Sequence, residues 1–409
     1  MHKTEATYND SGLYVDGPPG TRVNADSMNA IQKEIVTVIE GGGLTLLTAA
    51  TESGVQLLAA LNTLYVANSG ILGKNALING DFRISQRGAS GSAAYTGATV
   101  PLNSDDTYLH DRWILLSDGN DIVDFSQSTE APTGGLLSCA LDVETVNKKF
   151  GILQVIEQKN CAHMIGGNVS LSFQAKVSDI TKLDNIKAMV VSWDGAADTV
   201  TSDIISAWNA EDTTPTLVAN WTAENTPADL GVTATWAKYT IPNIAIDTAS
   251  AKNIGVFIWS DGFCDTAATF LYITQVQLEK NTVASIYDWR NITDELTLCQ
   301  RYYCKSYDQT VAPAAATSAG AAKLQADGLA SADHNCGLHV SFPVDMRSTP
   351  SSSAYDVAGT IDKVTMAAGN GIVAVLAGIS RRSLVYGGQN GAVNTNRFLQ
   401  YQYTAESEL

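Results

Sequence analysis

Between Trp113 and Leu278 the sequence repeats one pattern, in which short runs of alternating apolar and polar residues are separated by Gly, Pro, Asn and Asp. A period of two places successive side chains on opposite faces of a strand. No long helical pattern lies between the runs, so we expect an antiparallel β-sandwich of jelly-roll type. Nine strands are predicted, at 113–116, 122–126, 136–143, 152–157, 169–175, 188–193, 237–241, 255–259 and 270–278. Before them, residues 76–88 are expected to form a strand, an Asn-Gly turn, a second strand and a turn.

The stretch Ile273–Tyr303 marks the end of this region. Its first part has the alternation of a last sandwich strand, and the acidic start of a new segment follows at Thr293. Residues 295–305 fit either a helix or a strand, and 312–322 is an Ala-, Ser- and Gly-rich loop. Further strands are predicted at 338–342, 354–357, 371–376 and 398–404, with a turn at 387–391. The expected parts are an attachment arm (1–74), the sandwich (75–290) and a smaller β-rich tip domain (291–409).

The N-terminal part is expected to contain two short helices after an extended arm at 1–23. Residues 24–40 form the clearer helix, since Asn24 can cap its start and Gly41 can end it. Neither helix is long enough to stand alone in water. They pack either as a small local bundle or against copies of the chain, and the residues expected to mediate attachment or oligomerisation are Met28, Ile31, Ile35, Val38, Leu57, Leu61 and Leu64.

Net charge and cysteine content limit the partners and the cellular compartment that the chain can have. The chain has 25 Lys and Arg against 42 Asp and Glu, a net charge of −17, which makes nucleic acid and anionic membranes poor partners. No apolar run approaches the roughly 18 residues of a membrane span, so we expect no membrane insertion. Six scattered cysteines without a CxxC pair fit assembly in a reducing cytoplasm.

The sequence offers no catalytic constellation. None of the five histidines has the i, i+4 spacing of a metal-binding helix. The acidic pairs Asp105-Asp106 and Glu211-Asp212 are expected to lie in solvated loops, whereas a glycosidase needs two carboxylates held across a cleft. We therefore predict no catalytic residue and no metal site.

Aromatic and amide residues are the better candidates for ligand contact, because indole rings stack on the C–H face of a sugar while polar groups bind its hydroxyls. Trp113, Trp193 and Trp259 are expected in the core. Trp208 and Trp221 lie in a polar excursion, 198–229, which can include a short helix near 204–208, and they are the predicted exposed platform. A second candidate, for which a plain hairpin loop is the alternative, is a polar tip formed by Tyr386, Gln389, Asn390, Asn394 and Asn396.

Several stretches resemble phage tail-fibre and receptor-binding proteins. Residues 19–35 resemble their helical attachment segment. NALINGDFRISQRG (75–88), with Asp111-Arg112-Trp113, is similar to the opening of jelly-roll domains in phage tail proteins, which are related in shape to carbohydrate-binding modules. Residues 277–303, FPVDMR (342–347) and YTAESEL (403–409) look like the same family's C-terminal part.

The resemblance implies a homotrimeric structural protein of the virion tail, assembled in the host cytoplasm. Residues 1–40 would attach to a tail, baseplate or collar protein, and the β domains would bind host-surface polysaccharide. In carbohydrate-binding jelly rolls the final strand often carries an Asp that holds calcium. Here the nearest position holds Gln275, so we expect no cofactor. If a structural calcium were bound, Asp81 would be the candidate oxygen ligand. The alternative is an architectural collar, baseplate or head-decoration fibre; a sugar-binding module of a polysaccharide enzyme is disfavoured, since no catalytic domain accompanies it.

Overall fold

The computed structural model describes residues 9–10, 13–14, 25–41, 57, 74–88, 90–91, 103–327, 334–366, 369–390 and 396–409. Contacts divide the chain into two compact units, Met1–Ile71 with Val283–Ile286, and Leu72–Thr282 with Tyr287–Leu409. The chain is mainly β with antiparallel sheets, as predicted. The proposed boundaries after residues 74 and 290 remain predictions.

In the first unit, strands β1 (Asn9–Asp10) and β2 (Leu13–Tyr14) pair antiparallel, and helix α1 spans Ala25–Gly41, which confirms the predicted helix. Among the side chains of α1 that the structure describes, at 28–40, those of Gln32 and Ile39 are buried. The predicted seam lies elsewhere on the helix: Ile31 is 48% exposed, and Met28, Ile35 and Val38 are half-buried. Of the second predicted helix only Leu57 is described, as helical; Leu61 and Leu64 lie outside the described residues. None of the described helices is both long and apolar enough to span a membrane.

The second unit begins with the sandwich, and all nine predicted strands are confirmed. Its elements are β3 (Ser90–Gly91), β4 (Thr107–Tyr108), β5 (Ile114–Ser117), β6 (Val123–Ser128), β7 (Ser138–Val143), β8 (Phe150–Ile156), α2 (Gln158–Cys161), β9 (Asn168–Val177), β10 (Ile186–Trp193), β11 (Ile205–Ala207), β12 (Thr216–Leu217), β13 (Trp221–Ala223), β14 (Ala237–Ala245), β15 (Asn253–Ser260) and β16 (Phe270–Glu279).

Two six-stranded antiparallel sheets enclose the main core. Sheet 1 has the order β13-β10-β15-β8-β5-β4, and sheet 2 has the order β14-β9-β16-β7-β6-β3. Their facing side chains, including Trp113, Phe125 and Phe173, form one apolar cluster. Strands β8, β10 and β15 of sheet 1 are buried along their whole length. A second apolar cluster therefore lies on the outer side of sheet 1.

A β-bulge in β16 explains an irregular spacing in the sequence. Ile273, Val276 and Leu278 are all buried in the sandwich core, although Ile273 and Val276 are three residues apart. The register shifts between Thr274 and Gln277, and Gln275 has a positive φ of 54°. The extra residue keeps Val276 on the core side. Gly80 lies against this bulge, where an added Cβ atom would clash with the Val276 carbonyl oxygen.

The C-terminal region begins with helix α3 (Ile292–Gln300). Residues 295–305, which fitted either a helix or a strand, are therefore helical up to Gln300 and form a strand from Tyr303. Asn291 caps α3 by accepting a hydrogen bond from the Thr293 N–H. The strands are β17 (Tyr303–Lys305), β18 (Ala322–Asp327), β19 (His334–Ser341), β20 (Ser351–Tyr355), β21 (Lys363–Met366), β22 (Gly369–Val373), β23 (Val375–Ile379), β24 (Ser383–Asn390) and β25 (Asn396–Glu406).

The long strand β25 organises this region, because it pairs with β17, β18, β20 and β21. A three-stranded sheet, β19-β24-β23, packs against it over a core that includes Met346, Leu384 and Leu399. Gly388 of β24 makes this packing close, since a Cβ atom there would lie 2.8 Å from Val364.

Three local predictions are wrong. Residues 76–84 form turns and bends instead of a strand hairpin, and Asn79 and Phe82 have positive φ angles. The short helix proposed near 204–208 is instead strand β11, paired with β12. The predicted turn at 387–391 is occupied up to Asn390 by β24, which pairs with β19; residue 391 lies outside the described residues. At 204–208 pairing with β12 overrides the helix signal, and at 387–390 pairing with β19 overrides the turn signal.

Candidate functional site

Four of the segments that carry the family resemblance, 75–88, 111–113, 277–303 and 403–409, meet where the sandwich adjoins the C-terminal region. Arg112, which is 2% exposed, forms an ion pair with Glu408 and donates to the Val155 carbonyl oxygen at 2.6 Å. Its guanidinium group lies 3.8 Å from the centre of the Tyr302 ring. Arg87 pairs with Glu406 at 2.9 Å and with Glu408 at 3.1 Å. We call Arg87, Arg112, Tyr302, Tyr303, Glu406 and Glu408 the junction cluster.

A shell of buried carboxylates extends the junction cluster. Asp111 accepts hydrogen bonds from the backbone and side chain of Gln86, both at 2.6 Å. Glu157 accepts from Arg301 at 2.7 and 2.9 Å and from the Tyr302 hydroxyl at 3.0 Å. Burial opposes ionisation of Glu157, but these hydrogen bonds bring its pKa below the ordinary value. Each carboxylate is engaged by the protein itself, so the cluster fastens two regions together.

Arg290 and Asp81 belong to the same structural framework. Arg290 donates to the Leu77 carbonyl oxygen at 2.8 Å and pairs with Glu295 at 3.3 Å. Asp81, considered above as a calcium ligand, is buried and paired with Arg83. Burial raises its pKa, while Arg83 acts in the opposite direction. Within the described residues, His, Cys, Asp and Glu form no group of three suited to a metal ion.

The predicted tryptophan platform lies on the outer side of sheet 1, which we call the covered face. Trp221 is 5% exposed, packs 5.3 Å from Trp193 and donates its indole N–H to Thr201 O at 3.0 Å. Its predicted exposure is therefore wrong. Trp208 is half-buried, with its ring 6.0 Å from Phe257. The predicted burial of Trp193 and Trp259 is confirmed. Ligand contact by Trp208 and Trp221 remains a prediction.

A buried group of ion pairs is linked to the excursion through Asp212, whose own side chain is exposed. Asp261 is fully buried and pairs with Lys149 and Lys187, both at 2.7 Å. Lys187 also reaches Asp212 in the excursion at 3.0 Å, and the Asp212 N–H donates to Asp261 at 2.7 Å. Burial alone would raise the pKa of Asp261, but hydrogen bonds from both lysines lower it. We call Lys149, Lys187, Asp212 and Asp261 the excursion clamp.

The outer side of sheet 2 differs, since part of it carries half-buried or exposed side chains. Phe270 and Tyr272 lie parallel to within 15°, with ring centres 5.6 Å apart, and Trp236 lies 6.3 Å from Tyr272. The Lys176 ammonium group is 4.9 Å from the Tyr272 ring centre and 5.8 Å from that of Trp236, and it pairs with Glu130. We call this part the open face; its side chains are Asp124, Ser126, Asp142, Gln174, Lys176, Trp236, Lys238, Phe270 and Tyr272.

A carboxyl group with a raised pKa borders these rings. Asp142 lies opposite Phe270 on β16 and opposite Asp124 on β6. Burial raises the pKa of Asp142 to about 6, and the like charges of Glu144 and Asp124 add to the rise. The open face therefore combines aromatic rings with hydrogen-bonding groups on a partly exposed sheet.

The predicted C-terminal tip is only partly described. Tyr386 is 5% exposed, with its hydroxyl 2.8 Å from Ser352 Oγ and its ring 5.5 Å from that of Tyr401. Gln389 and Asn390 are the last residues of β24. Asn394 lies outside the described residues. Ligand binding by these residues remains a prediction, and Tyr386 has a structural role in the C-terminal core.

The two acidic pairs noted in the sequence, Asp105-Asp106 and Glu211-Asp212, lie in different parts of the sandwich region. Burial raises the pKa of both Asp105 and Asp106, and the like charge of Asp203 adds to each rise. Asp105 also accepts a hydrogen bond from the Ser117 N–H at 2.8 Å. Glu211 accepts from Asn185 at 3.1 Å, next to the excursion clamp. Each pair is accounted for by contacts within the protein.

The sequence matches no protein-family model and no curated protein. Among solved structures, the enzymatically active domain of tailspike protein 4 of bacteriophage CBA120 aligns over 50% of this chain and 21% of its own, with 15% identity and a TM-score of 0.30. A putative sugar-binding protein from Bacteroides thetaiotaomicron aligns over 51% and 100%, with 13% identity and a TM-score of 0.30. A xylan-binding domain of family 22 aligns over 42% and 89%, with 11% identity and a TM-score of 0.27. No function follows from similarity at this level.

The open face escaped the sequence prediction, although a signal for it exists. In β16, Phe270 and Tyr272 alternate with the core residues Leu271 and Ile273, which marks them as outward-facing aromatics. Strands β10 and β15, by contrast, are nearly continuous apolar runs, a pattern typical of burial on both faces. Reading both patterns together would have favoured sheet 2 as the exposed sheet.

Proposed function

We propose that this chain is a non-enzymatic structural protein of a phage tail, a fibre or short spike that is attached by its N-terminal region and binds host-surface glycans. The observation that carries the proposal is the junction cluster. Residues 75–88, 111–113, 277–303 and 403–409 each resemble phage tail proteins, and each contributes contacts at or next to this one cluster. These four segments therefore fasten the C-terminal region to the sandwich.

The proposed assembly is a homotrimer with three parts, residues 1–74, 75–290 and 291–409. The partly exposed seam of α1 supports self-association, because Ile31 is an exposed apolar residue at coiled-coil spacing. Assembly in the host cytoplasm is supported by five buried cysteines that are free of disulfides, Cys139, Cys161, Cys264, Cys299 and Cys304.

Location on the particle tests the structural role. Antibody labelling of purified virions should mark the tail, and mass spectrometry should detect the chain in the tail fraction. A chain found only in the lysate would contradict the proposal. Labelling of the head or collar would favour the architectural alternative, in which no receptor is bound.

Native mass spectrometry tests the trimer. Wild-type protein should give three copies, and Ile31→Asp should shift the population towards monomer, because a charge in the seam cannot be buried. Lys33→Gln is the matched control, since Lys33 is an exposed residue of the same helix. A wild-type monomer, or equal populations for both variants, would refute seam-mediated assembly.

A further inference from the structure

The open face presents its aromatic rings as a surface and leaves them outside the core. Phe270 and Tyr272 are half-buried, while their strand neighbours Leu271 and Ile273 are fully buried. Trp236 is half-buried beside them. Aromatic rings contribute most to stability when they are packed inside, so a row of rings on an outer sheet surface is better suited to binding.

Two polar atoms near these rings have no partner within the described protein, the indole N–H of Trp236 and one carboxylate oxygen of Asp142. Buried polar atoms without hydrogen bonds are rare and costly. A ligand with hydroxyl groups would satisfy both, since a hydroxyl oxygen accepts from the indole and a hydroxyl hydrogen donates to the carboxylate. Both atoms are enclosed, so ligand contact requires side chains to move, and the flexible Lys176 above the rings can do so.

The charges of the open face distinguish between classes of glycan. Asp142, Asp124 and Glu144 lie close enough for like charges to raise the pKa of Asp142. Of the two lysines of the open face, Lys176 is already paired with Glu130, and Lys238 interacts with Glu279. A uronic acid or sialic acid would meet this group of carboxylates with a like charge, at an energetic cost. A neutral sugar avoids that cost and still offers an apolar face and hydroxyl groups.

We propose that the open face is a binding site for a neutral oligosaccharide, in which Trp236 and Tyr272 stack against sugar rings and Asp142 accepts a hydrogen bond from a sugar hydroxyl. The proposal rests on the glycan-binding part of the proposed function and moves the site from Trp208 and Trp221 to the other sheet. Phe270 extends the apolar surface beside Tyr272.

The test begins with the full chain on a printed array of neutral and uronic-acid-containing bacterial oligosaccharides, followed by titration of the strongest neutral glycan. We expect Trp236→Ala and Tyr272→Ala each to weaken binding about tenfold, through loss of stacking. Asp142→Asn should also weaken it, because an amide is a poorer acceptor than a carboxylate. Phe263→Ala is the matched control, since Phe263 is a 47% exposed aromatic residue outside the open face, and its affinity should be unchanged.

Nuclear magnetic resonance gives a readout that a folding defect would not imitate. The indole N–H signal of Trp236, assigned by its loss in Trp236→Phe, should shift on addition of the neutral glycan as the N–H gains an acceptor. The signals of Trp193 and Trp221 should not move, because their N–H groups already donate to Ala196 and Thr201.

The outcomes separate the site from the function. Neutral-glycan binding that is lost in Trp208→Ala and kept in Trp236→Ala would overturn the open-face site and leave glycan binding standing. Binding of acidic glycans alone would overturn the proposed ligand class. Binding to no glycan, by a chain that antibody labelling places on the tail, would overturn the site and favour the architectural alternative.

Discussion

The covered face and the open face are two outer surfaces of the same sandwich, and both are rich in aromatic residues. On the covered face, Trp193 and Trp259 of the sheet and Trp221 of the excursion take part in a second apolar core. On the open face, Trp236 and Tyr272 remain half-buried. The difference arises from what each surface packs against. It teaches that a tryptophan in a polar loop can be the better buried one, because the loop itself folds down on the sheet.

The largest expected effect is the difference in stability between tryptophans of the two faces. Trp259 is fully buried and stacks on Phe257, with ring centres 5.1 Å apart and an angle of 7° between the ring planes. We expect Trp259→Ala to lower the free energy of unfolding by about 3–5 kcal/mol. Trp236→Ala, the matched change on the open face, should cost less than about 1 kcal/mol. Urea denaturation of both variants measures the difference, and similar losses would contradict the assignment.

The excursion clamp predicts the next largest effect. Asp261→Asn removes the charge that compensates Lys149 and Lys187, and a buried cation left unpaired costs about 3 kcal/mol. Asp265→Asn is the control, because Asp265 pairs with Lys182 in an exposed ion pair and its loss should not be measurable. Thermal unfolding compares the two. An Asp261→Asn variant as stable as the control would show that the excursion is held in another way.

The pH dependence of stability tests whether the pKa of Asp142 on the open face is raised. Asp142 has a folded-state pKa of about 6, above its ordinary value of 3.8, so the folded state binds its proton more tightly than the unfolded state. This stabilisation is present below about pH 4 and is lost as the pH rises through 6. Asp142→Asn should therefore be more stable than wild type at pH 7.5 by about 0.5 kcal/mol, after allowance for solvent screening.

The two proteins should be equally stable near pH 2.5, well below the ordinary pKa of 3.8, where Asp142 is protonated in both folded and unfolded chains. Denaturation at both pH values provides the check. An Asp142→Asn variant less stable than wild type at pH 7.5 would mean that the carboxylate has a stabilising partner.

The smallest predicted effect concerns the ion pair above the open-face rings. Glu130 is exposed, so Glu130→Gln should change the free energy of unfolding by no more than about 0.5 kcal/mol. Chemical denaturation at low and high salt measures it. A large loss would indicate that Lys176 and Glu130 form part of a packed structure, and the open face would then resemble the covered one.

Much of the sandwich could be predicted because its strands carry a local signal. Alternation in β9 and in the first half of β16, and the apolar runs of β10 and β15, are legible from neighbouring residues. The turns at 76–84 could not be predicted in the same way. Their conformation depends on contacts with distant segments, such as the Trp113 indole N–H donating to Asn79 O at 3.0 Å and the exchange of hydrogen bonds between Ile78 and Gln154.

The candidate site was predicted less well, because exposure is a property of the assembled fold. Trp221 occurs among Thr, Asn and Asp, which are typical of solvated loops, yet its strand β13 pairs with β10 and places it beside Trp193. Trp236 precedes β14 in an equally polar stretch and stays half-exposed. The junction cluster was not predicted, because its ion pairs join residues more than 290 positions apart, which no local pattern reveals.

Hydroxyl-radical footprinting with mass spectrometry tests the contrast between the two faces most directly, because it reports the accessibility of each aromatic side chain with and without the neutral glycan. The account predicts that Trp236 and Tyr272 are oxidised readily in the free protein and protected by the glycan, while Trp193, Trp221 and Trp259 are protected in both states. Rapid oxidation of Trp221 in the free protein, with protection by the glycan and no change at Trp236, would contradict it.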